Sequence, residues 1–186
     1  MLEVILAHIN TQIETLEHFK TLKSLCEIIK KEDISFPAEY CTKDEYKQIE
    51  LDSVVYHRLT GEVTQSEIED EEACAIQVTR TYPLRVVFTI PKNILNTDNN
   101  FIDLKIAENI VKVIGLKNSK TLNSSLKTDV VSVIVKSYSI DREKIWSEEY
   151  NNLPMTVDYK LIYGAIEYDV VIQGTQSCFN TYECND

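Results

Sequence analysis

The sequence predicts an α+β domain in which a mostly antiparallel, twisted sheet packs against helices. Two observations lead to this class. Apolar residues recur at helical spacing near the N-terminus and again in residues 102–114, whereas residues 74–90 and 158–174 are rich in Val, Ile, Thr and Tyr with strand-like alternation. The order of these segments, helices followed by strands, one helix and two further strands, is typical of α+β proteins.

The N-terminal segment, residues 1–35, is predicted to be helical. Two sets of apolar residues each fall on one face of a helix, with a break near residues 16–18 between them. The first set is Leu2, Ile5, Leu6, Ile9 and Ile13, and the second is Leu22, Leu25, Ile28 and Ile29. We therefore expect two consecutive amphipathic helices, ended by "ISFPAEYC", where Pro37 biases the preceding residue toward extended geometry.

The remaining elements follow from hydrophobic periodicity. "YKQIELDSVVYHRL" predicts a strand with an irregularity near Asp52, and "CAIQVTRTYPLRVVFTI" predicts the clearest strand, with an edge, bend or bulge at Pro83. "FIDLKIAENIVKVIG" carries one apolar stripe and predicts a core helix that ends at Gly115. "TDVVSVIVKSYSI" and "DYKLIYGAIEYDVVIQG" predict the last two strands, separated by a charged connection.

An acidic segment separates the first two predicted strands and is expected to form a loop or a long hairpin tip. Its carboxylates could bind a hard cation, but the run lacks the ligand spacing and glycine of a calcium loop, so a solvated acidic loop is the favoured interpretation. The residues concerned are Glu67, Glu69, Asp70, Glu71 and Glu72.

Length and composition indicate one ordinary globular domain. The 186 residues are 44% hydrophobic and 26% charged, as in ordinary globular proteins. Within this single domain we expect the N-terminal helical segment, a core over residues 36–173 and a C-terminal tail over residues 174–186. The net charge of -11 disfavours nucleic-acid binding, because such a chain repels phosphate. Five scattered cysteines without a CxxC pair indicate a reducing compartment, and a disulfide or metal site at Cys178 and Cys184 is disfavoured.

Motifs that would carry catalysis do not occur in the sequence. We find no glycine-rich phosphate loop, no serine in a nucleophile-elbow context and no metal-spaced histidine pair, and His8, His18 and His57 lie far apart. We therefore expect no enzyme, no catalytic residue, no metal and no cofactor. The apolar N-terminus is interrupted by polar residues, so neither a signal peptide nor a membrane span is expected.

Trp146, the only tryptophan, lies in the charged stretch "DREKIWSEEY", residues 141–150. One interpretation is a ring at the edge of the core that packs with Ile145 and Tyr150. The other is an anchor for a neighbouring subunit, because tryptophan within a polar rim is typical of interface hot spots. The sequence leaves both open.

The order and texture of these segments resemble the tail terminator or tail completion proteins of tailed bacteriophages. The resemblance covers roughly residues 40–173. It rests on "YPLRVVFTIP", "IDLKIAENIVKVIG", "VVSVIVKSYSIDREKIWSEEY" and the closing "LIYGAIEYDVVI". Trp146, Tyr163, Glu167 and Tyr168 stand where that family carries a large residue in a charged turn, and tyrosines with an acidic residue in the last strand.

The resemblance implies a structural virion protein that forms a ring of six or twelve copies in the phage neck. Such a ring joins portal to tail, contacts neighbouring portal, neck and tail proteins, and lets genomic DNA pass without tight binding. It implies assembly in the bacterial cytoplasm, localisation in the virion and no membrane. The interface candidates are Trp146, Tyr150, Tyr163 and Tyr168, with the acidic loop facing the lumen or an adjoining ring.

Additional segments distinguish this chain from the smaller members of the family. They are the N-terminal segment, the acidic insertion, the connection "NSKTLNSSLKT" and the C-terminal tail, and we expect residues 1–16 and 174–186 to act as arms. The amino-acid composition, rich in Asn, Lys and Ile, fits an AT-rich genome such as that of a crAss-like phage. Two alternatives remain, a monomeric α+β module that binds a ligand or protein, and an enzyme whose acidic residues converge only in three dimensions.

Overall fold

A computed structural model describes residues 2–42, 45–50, 52–70, 75–95, 101–115, 130–150 and 160–177. In these residues the fold is α+β, with a mostly antiparallel sheet and three helices. The helices are α1 (Leu2–Glu14), α2 (Ile102–Ile114) and α3 (Arg142–Glu149). The strands are β1 (Thr21–Leu25), β2 (Glu27–Lys31), β3 (Ile34–Thr42), β4 (Glu45–Gln48), β5 (Val54–Leu59), β6 (Thr64–Asp70), β7 (Ala75–Pro91), β8 (Val130–Ser139) and β9 (Leu161–Ser177).

The large sheet has the strand order β1-β5-β7-β9-β8, with β6 also paired to β7. Its axis is the antiparallel pair β7–β9, in which seventeen residues of each strand are in register from Ala75↔Ser177 to Pro91↔Leu161. At about 3.3 Å per residue, this pair is ~55 Å long. Only β1, which runs parallel to β5, departs from the antiparallel pattern. Strands β2, β3 and β4 form a separate antiparallel sheet.

Strands β5 and β6 lie end to end along the same side of β7. The register passes from Leu59↔Leu84 to Thr64↔Thr81, so four residues of one strand oppose two of the other. Pro83 lies at this interruption, where its carbonyl accepts a hydrogen bond from the Thr60 amide at 3.0 Å. Because proline has no amide hydrogen to offer a ladder, the irregularity occurs where the sequence predicts it.

The sheet is covered on both faces over its core half. One face, which we call the helix side, is covered by α1 and α2. These helices pack against it through Ile5, Leu6, Ile9, Ile13, Ile106, Ile110 and Ile114. On the α3 side, α3 packs Ile145, Trp146 and Tyr150 against Tyr56, Val87 and Tyr163, with Cys26 and Ile49 from the region of the small sheet. The predicted core helix and its end at Gly115 are confirmed.

Gly164 permits a close approach within the helix-side core. It lies opposite Phe88 in the β7–β9 pair, and a Cβ atom at this position would overlap the Phe88 ring. The glycine therefore leaves the space that the Phe88 ring fills.

The second N-terminal helix is a wrong prediction, because residues 21–31 form β1 and β2. A register shift between Leu22 and Leu25 leaves both side chains packed on the helix-side core, which imitates the three-residue spacing of a helix. Within residues 1–35 the helical description therefore holds only for α1. The expected arm at residues 1–16 is also wrong, since four residues of α1 are fully buried in the core.

The charged connection after β8 is also a helix, α3, rather than a hairpin connection or the start of a strand. Asp141 caps it, because its side chain accepts a hydrogen bond from the Lys144 amide at 3.1 Å. Similarly, the predicted acidic loop is in part a strand, β6, whose Glu67 and Glu69 pair in register with β7. Glu71 and Glu72 lie outside the described residues.

Candidate functional site

Half of the β7–β9 pair extends into a three-stranded arm, which we define as Thr64–Asp70, Ala75–Thr81 and Val171–Ser177. The six side chains of β6 that the structure describes, residues 64–69, are all exposed. One of them, Ile68, is a large apolar residue that is 62% exposed. Strand β6 is thus held by backbone pairing with little burial of its own, whereas Ile172 of β9 is buried in the helix-side core.

On the α3-side face of the arm and of the adjoining β8, a run of uncharged side chains lies between Asp70, the last residue of β6, and Asp169 of β9. Successive strand residues point to opposite faces, and Arg85 and Glu167 fix which residues lie on the α3 side. We call this surface the uncharged face. Its members are Thr64, Ser66, Ile68, Gln77, Thr79, Thr81, Pro83, Val171, Gln173, Val130, Ser132 and Ile134.

The uncharged face is bordered by an ion pair and contains exposed apolar groups. Asp169 of β9 binds Lys136 of β8 at 2.7 Å, and beyond this pair the sheet passes under α3. Ile134 and Val130 are 51% and 37% exposed, in addition to Ile68. The surface therefore combines hydroxyl, amide and aliphatic side chains.

The opposite face of the arm carries the charge. Glu67 and Glu69 lie there on β6, and Arg80 of β7 donates to Gln65 at 2.8 Å. Asp70 ends β6 in register with Ala75, in the same row as Ile68, so the uncharged row of β6 ends at Ile68. Alternation along one strand thus separates an acidic surface from an uncharged one.

A buried carboxylate holds α3 on the sheet. Glu149 is fully buried, and one of its oxygens accepts hydrogen bonds from Arg58 Nε at 2.8 Å and from Arg85 Nη1 at 3.0 Å. The other oxygen accepts from the Tyr56 hydroxyl at 3.1 Å. Since donors from β5 and β7 engage both oxygens, the arrangement anchors the helix.

Arg85 extends this cluster along the sheet. Its guanidinium also donates to Glu167 of β9 and to Glu148 of α3. Burial alone would lower the pKa of Arg85, but the hydrogen bonds that Arg85 donates to Glu167 and Glu149 outweigh it and raise the pKa above its ordinary value. Burial, with the neighbouring Tyr150 and Glu149, raises the pKa of Tyr56 well above its usual range, so its hydroxyl stays protonated as a donor.

A neutral network lies on the other side of the same strands. His57 is buried, with Nδ1 at 2.7 Å from the Tyr168 hydroxyl and Nε2 at 2.8 Å from Asn10 Oδ1. Asn10 uses its Nδ2 to donate to the Lys23 carbonyl, so Oδ1 must accept from His57 Nε2–H, and Nδ1 accepts from Tyr168. Burial lowers the pKa of His57 to about 3, which keeps this tautomer neutral.

The four aromatic residues predicted as interface candidates lie inside the chain's own cores. Trp146 stacks on Tyr150 at a ring distance of 4.8 Å and meets Tyr163 edge-on at 5.8 Å, and all three belong to the α3-side core. Tyr168 lies across the sheet, bound to His57. The structure therefore shows the packing role weighed for Trp146, and we do not carry these residues into the interface proposed below.

A polar groove of about 330 Å³ lies where β1 and β5 meet β4. Its charged residues are Lys20, Lys23, Lys47, Glu39, Glu50 and Asp52, and two ion pairs, Lys20–Asp52 and Lys23–Glu39, span it. Nearby, Cys26 is buried and free, and burial raises the pKa of its thiol to about 12. An inert thiol and a groove of both charge signs differ from the apolar pocket expected of a ligand-binding module.

Two searches of the described ranges gave no site. Within residues 2–42, 45–50, 52–70, 75–95, 101–115, 130–150 and 160–177, no cluster of three or more His, Cys, Asp or Glu is placed to hold a metal ion. In the same ranges, no helix is both long and apolar enough to cross a membrane.

Comparison with known proteins identifies no relative, since neither a protein-family model nor a curated protein matches the chain.

Glu149, Arg58, Arg85 and the uncharged face are the features that sequence reasoning missed. Tyr56 and Glu149 are 93 residues apart, so nothing local indicates their contact. A signal for α3 was present, because Asp141 precedes a segment whose residues 145, 146, 149 and 150 recur on one helical face. The uncharged face could also have been read from "TQSEIED", in which Thr64, Ser66 and Ile68 alternate with Gln and Glu.

Proposed function

We propose that this chain is a structural subunit of a ring in the neck or head-to-tail connector of a tailed bacteriophage. In this role it works by shape and potential, with no reaction at any side chain. The ring of six or twelve copies joins portal to tail and lets DNA pass. The observation that carries the proposal is the arm, a sheet extension of about 7 residues per strand that adds surface rather than core.

The arm supports assembly for a physical reason. A folded domain that worked alone would gain little from a strand such as β6, whose described side chains are all exposed. Exposed sheet edges and faces promote pairing with other chains, and one row of β6, Thr64, Ser66 and Ile68, has no charge to oppose such pairing. Extended segments also supply the contact area of about 800 Å² per partner that a stable interface needs.

The charge also supports a channel for DNA. At a net charge of -11, a ring of these chains presents a strongly negative surface. Such a surface repels phosphate over about 8 Å at physiological salt, so DNA passes without adhering. Glu67 and Glu69, on the acidic face of the arm, are the residues we assign to the lumen or to an adjoining ring.

The test uses the purified full-length chain. Light scattering should give six or twelve times the chain mass of 21.4 kDa, and electron micrographs should show rings with a central opening. The rings should not retain duplex DNA at moderate salt. A monomer at every concentration, or rings that bind duplex DNA tightly, would contradict the proposal.

The competing function is a monomeric α+β module that binds a ligand. Its site would be the polar groove near Lys23 and Glu39, although this groove is not the apolar pocket that such a function leads us to expect. Two results together would favour this function over the ring. The chain would be a monomer, and substitution of Lys47, which is exposed at the groove, would abolish binding of a small charged molecule.

A further inference from the structure

We infer that the uncharged face of the arm is the surface on which a second copy of this chain packs. This inference rests on the proposed function and names the contact that would build the ring. Two observations carry it, namely the absence of charge among the twelve side chains that define the face and the position of its most exposed apolar residues.

The charge pattern selects the occupant. Two copies at -11 each repel one another, and juxtaposed like charges cost several kcal/mol, so close approach of two copies is favoured where charged side chains are absent. The twelve side chains of the uncharged face satisfy this condition, although 26% of the chain is charged. A basic partner would instead be drawn to the opposite face, where Glu67 and Glu69 lie.

The composition of the face also fits a protein contact. Interface centres are depleted in charged residues, and flat sheet faces pack on one another at about 10 Å. Ile68, Ile134 and Val130 are exposed in the isolated chain, and burial of each would be favourable. Thr79 and Thr81, between them, are half-buried and supply hydroxyls rather than charges.

The area of the face sets what it can contribute. Four strands spaced about 4.8 Å apart and roughly 5 residues long, at about 3.3 Å per residue, present ~320 Å². This is somewhat under half of the ~800 Å² per partner in a standard interface, so the face forms the centre of the contact and other surfaces complete it.

Two substitutions on the same strand test the inference. Ser66→Glu and Gln65→Glu each add one negative charge at an exposed position of β6, the first on the uncharged face and the second on the acidic face. Ile68→Glu provides a second disruptive variant. All three positions are exposed, so circular dichroism and thermal unfolding should match the wild type.

Assembly is measured by light scattering over a concentration series. For Ser66→Glu and Ile68→Glu we expect the concentration of half-assembly to rise on the order of tenfold or more, because a charge is placed against a like-charged neighbour. Gln65→Glu should assemble as the wild type does.

The outcomes separate the two proposals. If the wild type forms rings and the Ser66→Glu and Ile68→Glu variants form them equally well, the uncharged face is not the contact, while the ring function stands. If the wild type forms a dimer that only these two variants dissociate, the contact is supported and the ring is contradicted. A wild type that stays monomeric at every concentration overturns both.

Discussion

The two halves of strands β7 and β9 differ in what covers them. In the core half, Leu84–Ile90 reads "LRVVFTI" and packs against α1 and α2 on one face and α3 on the other. In the arm half, Ala75–Thr81 reads "AIQVTRT" and lies in a sheet extension whose α3-side face includes the twelve side chains of the uncharged face. One continuous pair of strands thus changes from a nearly unbroken apolar run to an alternating one.

The difference shows that the same ladder serves two purposes. Burial on both faces makes the core half the source of folding free energy, since each buried aliphatic side chain contributes about 1.5–3 kcal/mol. The arm half has little buried apolar area and adds surface. We therefore expect substitutions in the core half to change stability, and substitutions in the arm half to change assembly.

The largest effect is expected at Glu149, under α3 in the core half. Glu149→Ala leaves Arg58 and Arg85 without their shared buried partner, and we expect the free energy of unfolding to fall by about 3–5 kcal/mol. Urea denaturation measures it. The control is Glu148→Ala, at a partly exposed partner of Arg85, where we expect less than about 1 kcal/mol. Equal losses for the two variants would contradict the anchoring role of Glu149.

The next effect is expected at Gly164. Gly164→Ala places a methyl group where the Phe88 ring lies, so we expect a loss of up to about 3 kcal/mol in the free energy of unfolding. Gly61→Ala is the control, because its Cβ would lie 3.4 Å from Pro83 Cγ, in ordinary contact, and Gly61 does not have a positive φ. Thermal unfolding should separate the two variants, and a Gly164→Ala variant as stable as Gly61→Ala would show that the Phe88 ring can move aside.

The His57 network should make stability depend on pH. The pKa of His57 is about 3 in the folded chain and about 6.5 when unfolded, so the unfolded state binds the extra proton between these values. The contribution of neutral His57 to the free energy of unfolding is complete above pH 6.5 and is lost as the pH falls toward 3. Between pH 7 and pH 5 the free energy of unfolding should fall by roughly 2 kcal/mol.

His57→Gln is the control for that pH dependence. Urea titrations at pH 7 and pH 5 should show a smaller loss in the variant than in the wild type, because glutamine has no proton to gain. An identical loss in both proteins would mean that other groups cause the acid sensitivity.

The smallest effect on stability is expected in the arm. Ile68→Thr keeps a β-branched side chain at a position that is 62% exposed, so the free energy of unfolding should change by less than about 0.5 kcal/mol. A loss comparable to that of Gly164→Ala, measured on the unassembled chain, would mean that the arm contributes to the folded core and would remove the distinction between the halves.

Local periodicity was sufficient to predict α1, α2, β7 and β9, because each has one long and regular pattern. It failed where short segments carried a misleading pattern. The register shift between Leu22 and Leu25 gave two short strands a helical spacing, and the acidic composition of β6 concealed its pairing with β7. Strand propensity reflects the partners that a strand meets, which the sequence of β6 alone does not contain.

The polar sites could be predicted least. Glu149 meets Arg58 across 91 residues of sequence, and His57 meets Tyr168 across 111. Each contact depends on where the sheet places β5, β7 and β9, and adjacent residues such as His57 and Arg58 enter opposite cores. No spacing rule along one segment carries that information.

Hydrogen exchange of the wild-type chain, measured below and above the concentration of assembly, tests the central claim most directly. We predict that amides of Thr64–Glu69 exchange at least about tenfold more slowly once the chains assemble, while those of Val86–Ile90 keep the same rates at both concentrations. Assembled particles in which the arm amides exchange as fast as in the isolated chain would contradict the account.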